Sequence, residues 1–524
     1  MNRHIRLNEA TAVFFAVLGL GCFCLSPLTQ AVSPPPDGGY PGNNTAEGDG
    51  ALLLLTSGRN NTADGFRALV ANTTGSDNVA SGAAALLLNT TGSENTANGF
   101  AALSQNMTGG NNTATGSSSL EFNTTGNNNT ATGFKALFSN TTGDRNTAVG
   151  ANALTSNTTG IFNTAEGVVA LSSNTTGNFN TAIGAGALLA NTADQNTAAG
   201  VGALLSNTTG SDNTAQGAFA LLSNTTGMSN TAVGDATLFS NTTGNGDTAV
   251  GFNALTSNTT GFTNTAVGDS ALQANTTGVS NTAIGAFALQ ASNSTFCVAV
   301  GVGALMASNF SENTAVGHLA LSSNTTGGSN TAVGFQAGLN ATTGDGNVYI
   351  GVGMEGVAAE SNHTYIRNVN TTTVSGGGTD TVTVDLASGL LGHLSSSRRY
   401  KEDIKPMGKS SEALYRLKPV SYRYKKEIDS TQSPAFGFVA EEVAEVNRNL
   451  VACNSQGQPE SVHYEMVNAM LLNEFLKEHK TVQEQGATIA RLEKQIEALT
   501  AGLQKVSERL ELSKPAPQTV LNNQ

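Results

Sequence analysis

Three consecutive serines, Ser395, Ser396 and Ser397, stand just ahead of Arg398, Arg399 and Lys401. A serine hydroxyl is a weak nucleophile until a neighbour takes its proton, and a lysine can take it only once desolvation or nearby positive charge has lowered its pKa. Arg398 and Arg399 could supply that charge. Serine and lysine five residues apart occur in many chains, so Ser396 and Lys401 assign no activity on spacing alone. Other reactive side chains are sparse. Of the 4 cysteines, Cys22 and Cys24 lie in an apolar N-terminal stretch, while Cys297 and Cys453 fall in different regions without metal-ligand spacing. Neither a disulfide framework nor a zinc site is supported. The many N-T-T tripeptides would accept glycans in a eukaryotic secretory pathway, but their fixed register points to turn chemistry first. Neutral repeated polar residues are poor ligands for calcium. No cofactor and no metal is expected.

The elements that hold these residues belong to an unusual chain. Its 524 residues include 60 Gly and no Trp, with only 12% charged side chains, far from the globular average. A net charge of -13 provides no basic stripe to neutralise phosphates, which excludes nucleic acid as a partner. At the N-terminus Arg3, His4 and Arg6 precede an apolar run from Ala12 to Leu25 and then Thr29-Gln30-Ala31. That tripartite order reads as a secretory signal over residues 1–31, with a mature chain from Val32 that has no membrane span and is secreted or displayed on a bacterial outer surface. An uncleaved anchor is the rival reading. Acylation at Cys22 fits less well, because Gly19 and Leu20 make a poor acylation motif.

After a Pro/Gly linker at 32–43, the unit N-T-A-x-G-x-x-A-L-x-x-N-T-T-G-x-x recurs from Asn44 to Gly351, with nineteen starts. The fifth position is always Gly and the ninth nearly always Leu, as in Leu69, Leu154 and Leu321. Seventeen residues are too few for a helical hairpin, so each unit is read as one coil of a solenoid with two short strands joined by two turns. Each coil would bury one Leu and several Ala under its neighbours. The fourth position holds Glu47, Asp64, Asn98, Glu166 and Gln216 early but Val233, Val250, Val267, Ile284, Val316 and Val333 later. A slot that accepts Glu must face outward. It is expected to be solvated near the N-terminus and covered by sister chains further on. At about 4.8 Å per coil the rod would run to roughly 85 Å. Ladders of Asn and Thr could also present regular hydroxyls to ice or a crystal, although turn roles are the commoner use of these residues.

These units resemble the head repeats of YadA-like trimeric adhesins, which implies a mainly β fold: a left-handed parallel β-roll or solenoid of about 17-residue coils over 44–351. The chain departs from that family in lacking short amphipathic C-terminal strands for an outer-membrane pore. A connector at 352–395 alternates in the strand period, in His363–Arg367 and Thr379–Asp385, around Gly376-Gly377-Gly378, and is read as a β-stalk.

At Ser395 the composition changes sharply, with Lys, Arg and Glu frequent and Gly rare. Four blocks then follow in order: Ser395–Ile404, Leu417–Lys425, Gly437–Val443 and Val462–Tyr464. Together they resemble the intramolecular chaperone auto-processing domain of phage tailspikes, of the endosialidase type. That resemblance implies a small α+β domain over 396–470 that folds as a homotrimer, assists the fibre ahead of it and cuts itself off with a Ser/Lys dyad. Carried over, the nucleophile is Ser396, the base is Lys401 and the cut lies between Ser395 and Ser396. Ser397 stands where the family commonly has Asp, and Tyr400 where Leu is frequent. Glu442 and Tyr464 match recurrent positions and are read as packing or interface residues.

Val482, Ile489, Ile496, Leu503 and Leu510 recur every seven residues with Leu492, Leu499 and Val506 between them, a coiled-coil seam within 471–513, before a tail at 514–524. The expectation is an exported trimeric, adhesin-like fibre that is a single-turnover serine endopeptidase on itself. The alternative is a purely structural or adhesive fibre whose terminal domain trimerises without cutting. A phage structural protein is disfavoured by the signal. The surface or host receptor of the rod is not identified.

Overall fold

A computed structural model describes residues 40–369, 382–386, 391–393 and 395–513. The expected signal, most of the linker, Gly376-Gly377-Gly378, Thr379–Thr381 and the tail lie outside the described residues. The chain divides into two compact units, one ending at Thr372 and the other starting at Thr373.

The first unit is a parallel β-solenoid. Each coil contributes one three-residue strand, in most coils of the form Thr-Ala-x, from Thr45–Glu47 to Thr364–Ile366, and the strands make one 20-stranded sheet. Equivalent residues pair coil to coil, so Thr147, Ala148 and Val149 lie against Thr164, Ala165 and Glu166. Strand alternation turns Ala148 inward, where it is fully buried, and sends Thr147 and Val149 outward. Gly150 then turns the corner at φ +135°, and a Cβ there would stand 2.5 Å from the Gly167 carbonyl oxygen. No other residue type fits that backbone and that approach. Two Ala and one Leu per coil, such as Ala148, Ala153 and Leu154, form one continuous core. Leu154 is buried in the left-handed region at φ +51°. That conformation costs on the order of 1 kcal/mol, and burying the side chain gains about 2 kcal/mol, so burial wins.

The coil carries one strand rather than the two expected. The Leu side winds through left-handed residues, Asn152 at φ +56° and Leu154 at φ +51°, which breaks a strand. It is nevertheless laddered, since Leu154 N donates to Ala170 O at 2.9 Å. The asparagines are internal. Asn146 Nδ2 donates to Asn129 Oδ1 at 3.2 Å and to Gly160 O at 2.8 Å. Asn157, the first residue of an N-T-T turn, donates from Nδ2 to Asn140 Oδ1 at 2.8 Å and to Gly160 O at 3.1 Å. Both are fully buried, so two amide ladders satisfy the turn carbonyls along the rod. The N-T-T register is therefore turn chemistry, and the asparagines are not offered to a surface; the second-position threonines still face outward.

The solenoid runs one coil past the repeat. Thr364–Ile366, read as stalk, pairs in parallel with Val348–Ile350 as a further coil. Here Tyr349 and Tyr365 replace the inward Ala, their rings stack at 5.7 Å, and both hydroxyls donate to Glu360, at 3.0 and 2.7 Å. The larger rings close the end of the core, and Glu360 takes the polar tips that burial would otherwise strand.

In the second unit Thr383–Val384 pairs antiparallel with Leu391–Gly392. Two further hairpins, Val420–Tyr422 with Ala435–Gly437 and Val451–Cys453 with Pro459–Val462, alternate with a 3-10 helix at Gly408–Arg416 and a short α-helix at Ala440–Val446. Val443, Leu450, Val451 and Met470 form its small core, against which Leu414, Leu417 and Phe438 pack. Met470 belongs to one long helix, Tyr464–Leu512, that carries the heptad positions. Among the described residues no helix is long and apolar enough to cross a membrane.

Candidate functional site

Ser395, Ser396 and Lys401 flank a single 3-10 turn, Arg398–Tyr400. Ser397 caps that turn: its Oγ accepts from Arg399 N at 3.3 Å and from Arg399 Nε at 3.2 Å, while its own N donates to Ser395 Oγ at 3.3 Å. A serine at this position is therefore committed to local backbone satisfaction, which distinguishes it from Ser396 beside it. The turn places Ser396 before its first residue and Lys401 after its last, both exposed, and no hydrogen bond joins their side chains. The Arg399 guanidinium lies over the Tyr400 ring at 5.6 Å from the centroid. In one chain the turn brings the two residues onto one short segment without closing a nucleophile–base contact.

Downstream of this segment, the 3-10 helix Gly408–Arg416 is clamped to the long helix through Glu474, a buried carboxylate the sequence reading passed over. Ser411 Oγ donates to Glu474 Oε1, Tyr415 OH to Oε2 at 2.9 Å, and Lys477 Nζ to Oε1 at 2.6 Å. Asn473 Nδ2 completes the cluster on Ser411 Oγ at 2.6 Å. The Lys477 ammonium, then the Ser411 and Tyr415 hydroxyls, hold the Glu474 carboxyl down at about 2 from its ordinary 4.5. Its contribution to stability is thus complete above pH 4.5 and is lost as pH falls towards 2. Glu474→Gln should lower the thermal midpoint of the second unit at pH 7, and the gap between variant and parent should close in a titration to pH 2–3. The i, i+3 pairing of Glu474 with Lys477 was the available sequence signal.

Tyr464 OH accepts from Phe438 N at 3.2 Å, and its ring lies 5.9 Å from that of Phe438, a packing role for this residue. Glu442 is exposed on the short helix. A cavity of about 650 Å³ lies between the Thr383–Val384 hairpin and the Val451–Cys453 hairpin, with His393, Cys453, His463 and Glu465 in its wall. His463 Nδ1 and Glu465 Oε1 are 3.0 Å apart there. Among the described residues no group of three or more His, Cys, Asp or Glu could hold a metal ion.

No curated protein and no solved structure matches the chain. Residues 396–452 match the family model described as chaperone of endosialidase, and the matched stretch opens at Ser396.

Proposed function

From a parallel solenoid followed by a stretch like the chaperone of endosialidase, we propose that the protein is an exported homotrimeric fibre whose tail assists folding and then removes itself. The observation that carries this reading is the start of the matched stretch at Ser396, the residue that would become the new N-terminus. In the proposed step, the amine of Lys401 takes the hydroxyl proton of Ser396 as Oγ attacks the carbonyl carbon of Ser395. The peptide C–N bond breaks, the departing amine of Ser396 gains a proton, and an ester links Ser395 to Ser396 Oγ. Water then hydrolyses that ester, leaving a carboxylate on Ser395 and restoring the hydroxyl.

The exposed segment of a lone chain supports a step that waits for assembly, because a lysine in water keeps its proton and cannot act as base. Three tails meeting along the heptad seam would desolvate the turn and bring Arg398 and Arg399 of each chain into a shared field. An adhesin-like head with left-handed winding completes the reading. Sedimentation of the Ser396→Ala chain tests the assembly: three chain masses of 53.3 kDa, less any signal, are expected, and a single-chain mass would contradict it. A structural fibre that trimerises without cutting is the second reading, favoured by the absence of a Ser396–Lys401 hydrogen bond in one chain.

A further inference from the structure

The outward face of the solenoid sheet changes character halfway along the rod. In the early coils its fourth-position file is broken by Glu47, Asp64, Asn98, Glu166 and Gln216, with Val149 between Thr132 and Glu166 and Ile183 between Glu166 and the small Ala199. From Val233 to Ile366 every coil places Val or Ile there, nine in succession, and each pairs in register with the next. These side chains point away from the inward Ala or Tyr between the strand's two outward positions, and Ile284, Val333 and Ile366 are 42%, 42% and 45% exposed. The neighbouring outward file is mainly Thr, as in Thr231, Thr265 and Thr331, so the face presents methyls and hydroxyls without a charge.

We infer that this C-terminal half of the sheet face is the surface along which copies of this chain lie side by side, while the N-terminal half stays in water. The inference rests on the trimeric reading above. Three observations select a second copy over another occupant. An ordered external surface would be met by the full length of the sheet, yet the apolar file stops at its midpoint. The long helix of the same chain leaves Val482, Ile489, Ile496 and Leu503 55–68% exposed in heptad spacing, a seam that other helices bury. Finally, nine coils at about 4.8 Å make a strip roughly 40 Å long and about 10 Å wide, near 400 Å² per copy. That is about half of what a free-standing interface buries on each partner. The strip is too small to capture a separate protein from solution, but it suffices for chains already tethered by their helices at high effective concentration. Bundling that begins from the tethered end of the chain explains why the file is apolar in the C-terminal coils and polar in the N-terminal ones.

The test uses the full chain carrying Ser396→Ala, so that the tether stays attached, with Cys22→Ser, Cys24→Ser and Cys453→Ser to remove the other thiols and the buried Cys297 retained. Single cysteines at Val267→Cys and Val316→Cys should give covalent dimers with a short bismaleimide at least tenfold more than Asn98→Cys. Equal yields at all three positions would overturn the inference, as would no cross-link at any of them in protein that sediments as an oligomer; the trimeric reading would survive both outcomes. Protein that sediments as a single chain and cross-links nowhere would overturn both.

Discussion

Ser396→Ala protein made from the full gene is expected to remain one chain under denaturing conditions, while the parent yields a fragment of the 129 residues from Ser396 to Gln524. Lys401→Ala should behave like Ser396→Ala, with the rate of cutting down by a thousandfold or more, since neither member of a nucleophile–base pair retains much activity alone. Ser397→Ala separates this account from a cut placed one residue on. Ser397 Oγ caps the 3-10 turn and accepts two bonds from Arg399, so its loss should slow processing through a loosened turn without abolishing it. Gel bands and intact masses of the four proteins read all of this in one experiment. Complete loss of cutting in Ser397→Ala with normal cutting in Ser396→Ala would move the nucleophile.

Asp247→Asn should stabilise the middle of the rod, by on the order of 3–4 kcal/mol at pH 8. Along the file that begins every coil, Asp247 and Cys297 are the exceptions to Asn between Asn44 and Asn347. The Asp247 carboxyl is fully buried and accepts from Asn264 N at 2.8 Å, Asn264 Nδ2 at 3.1 Å and Asn258 Nδ2 at 3.1 Å. Burial pushes its pKa up to about 7 from an ordinary 3.8, and those donors offset only part of the shift. An ionised carboxylate also has no hydrogen to give Asn230 Oδ1 or Gly261 O, which the equivalent Asn amides supply in other coils. Because the folded pKa is the higher one, the stability that the protonated form confers is complete below pH 3.8 and disappears as pH rises through 7. Hydrogen exchange across residues 230–264, corrected for intrinsic rates, should therefore show the parent opening more readily at pH 8 than at pH 6. Asp247→Asn should be protected equally at both. Identical protection of the two proteins at pH 8 would contradict this.

The rod was legible because its period is printed in the chain. Leu at the ninth position and Ala at the third and eighth read directly as core, and Glu at the fourth read directly as outside. What escaped was the interior polarity. Asn at the first and twelfth positions looks like turn residue in any single unit, and only stacking in register supplies each buried amide with the amide of the next coil. The signal was there in the near-invariance of those two asparagines beside freely varying neighbours. The second strand per coil was expected from the short unit with its fixed Gly and N-T-T-G turn signals, but left-handed residues such as Leu154 turn that side without one. The last coil was read as stalk because Tyr365 conceals the Ala that marks the strand.

The tail was legible in a different way. Ser396 and Lys401 acquire meaning from four blocks of surrounding sequence, not from their own spacing. Geometry within one chain leaves both on an exposed turn, Arg398–Tyr400, with no hydrogen bond between their side chains. Glu474 was missed because a Glu–Lys pair on a helix ordinarily lies in solvent, and its burial depends on Ser411 and Tyr415 arriving from sixty residues away.

The most direct test of self-removal is the intact mass and N-terminal residue of the small fragment from purified, denatured protein. A free amino-terminal Ser396 and a mass equal to residues 396–524 are expected. A single chain near 53 kDa, or a fragment that begins elsewhere and persists in Lys401→Ala protein, would contradict it.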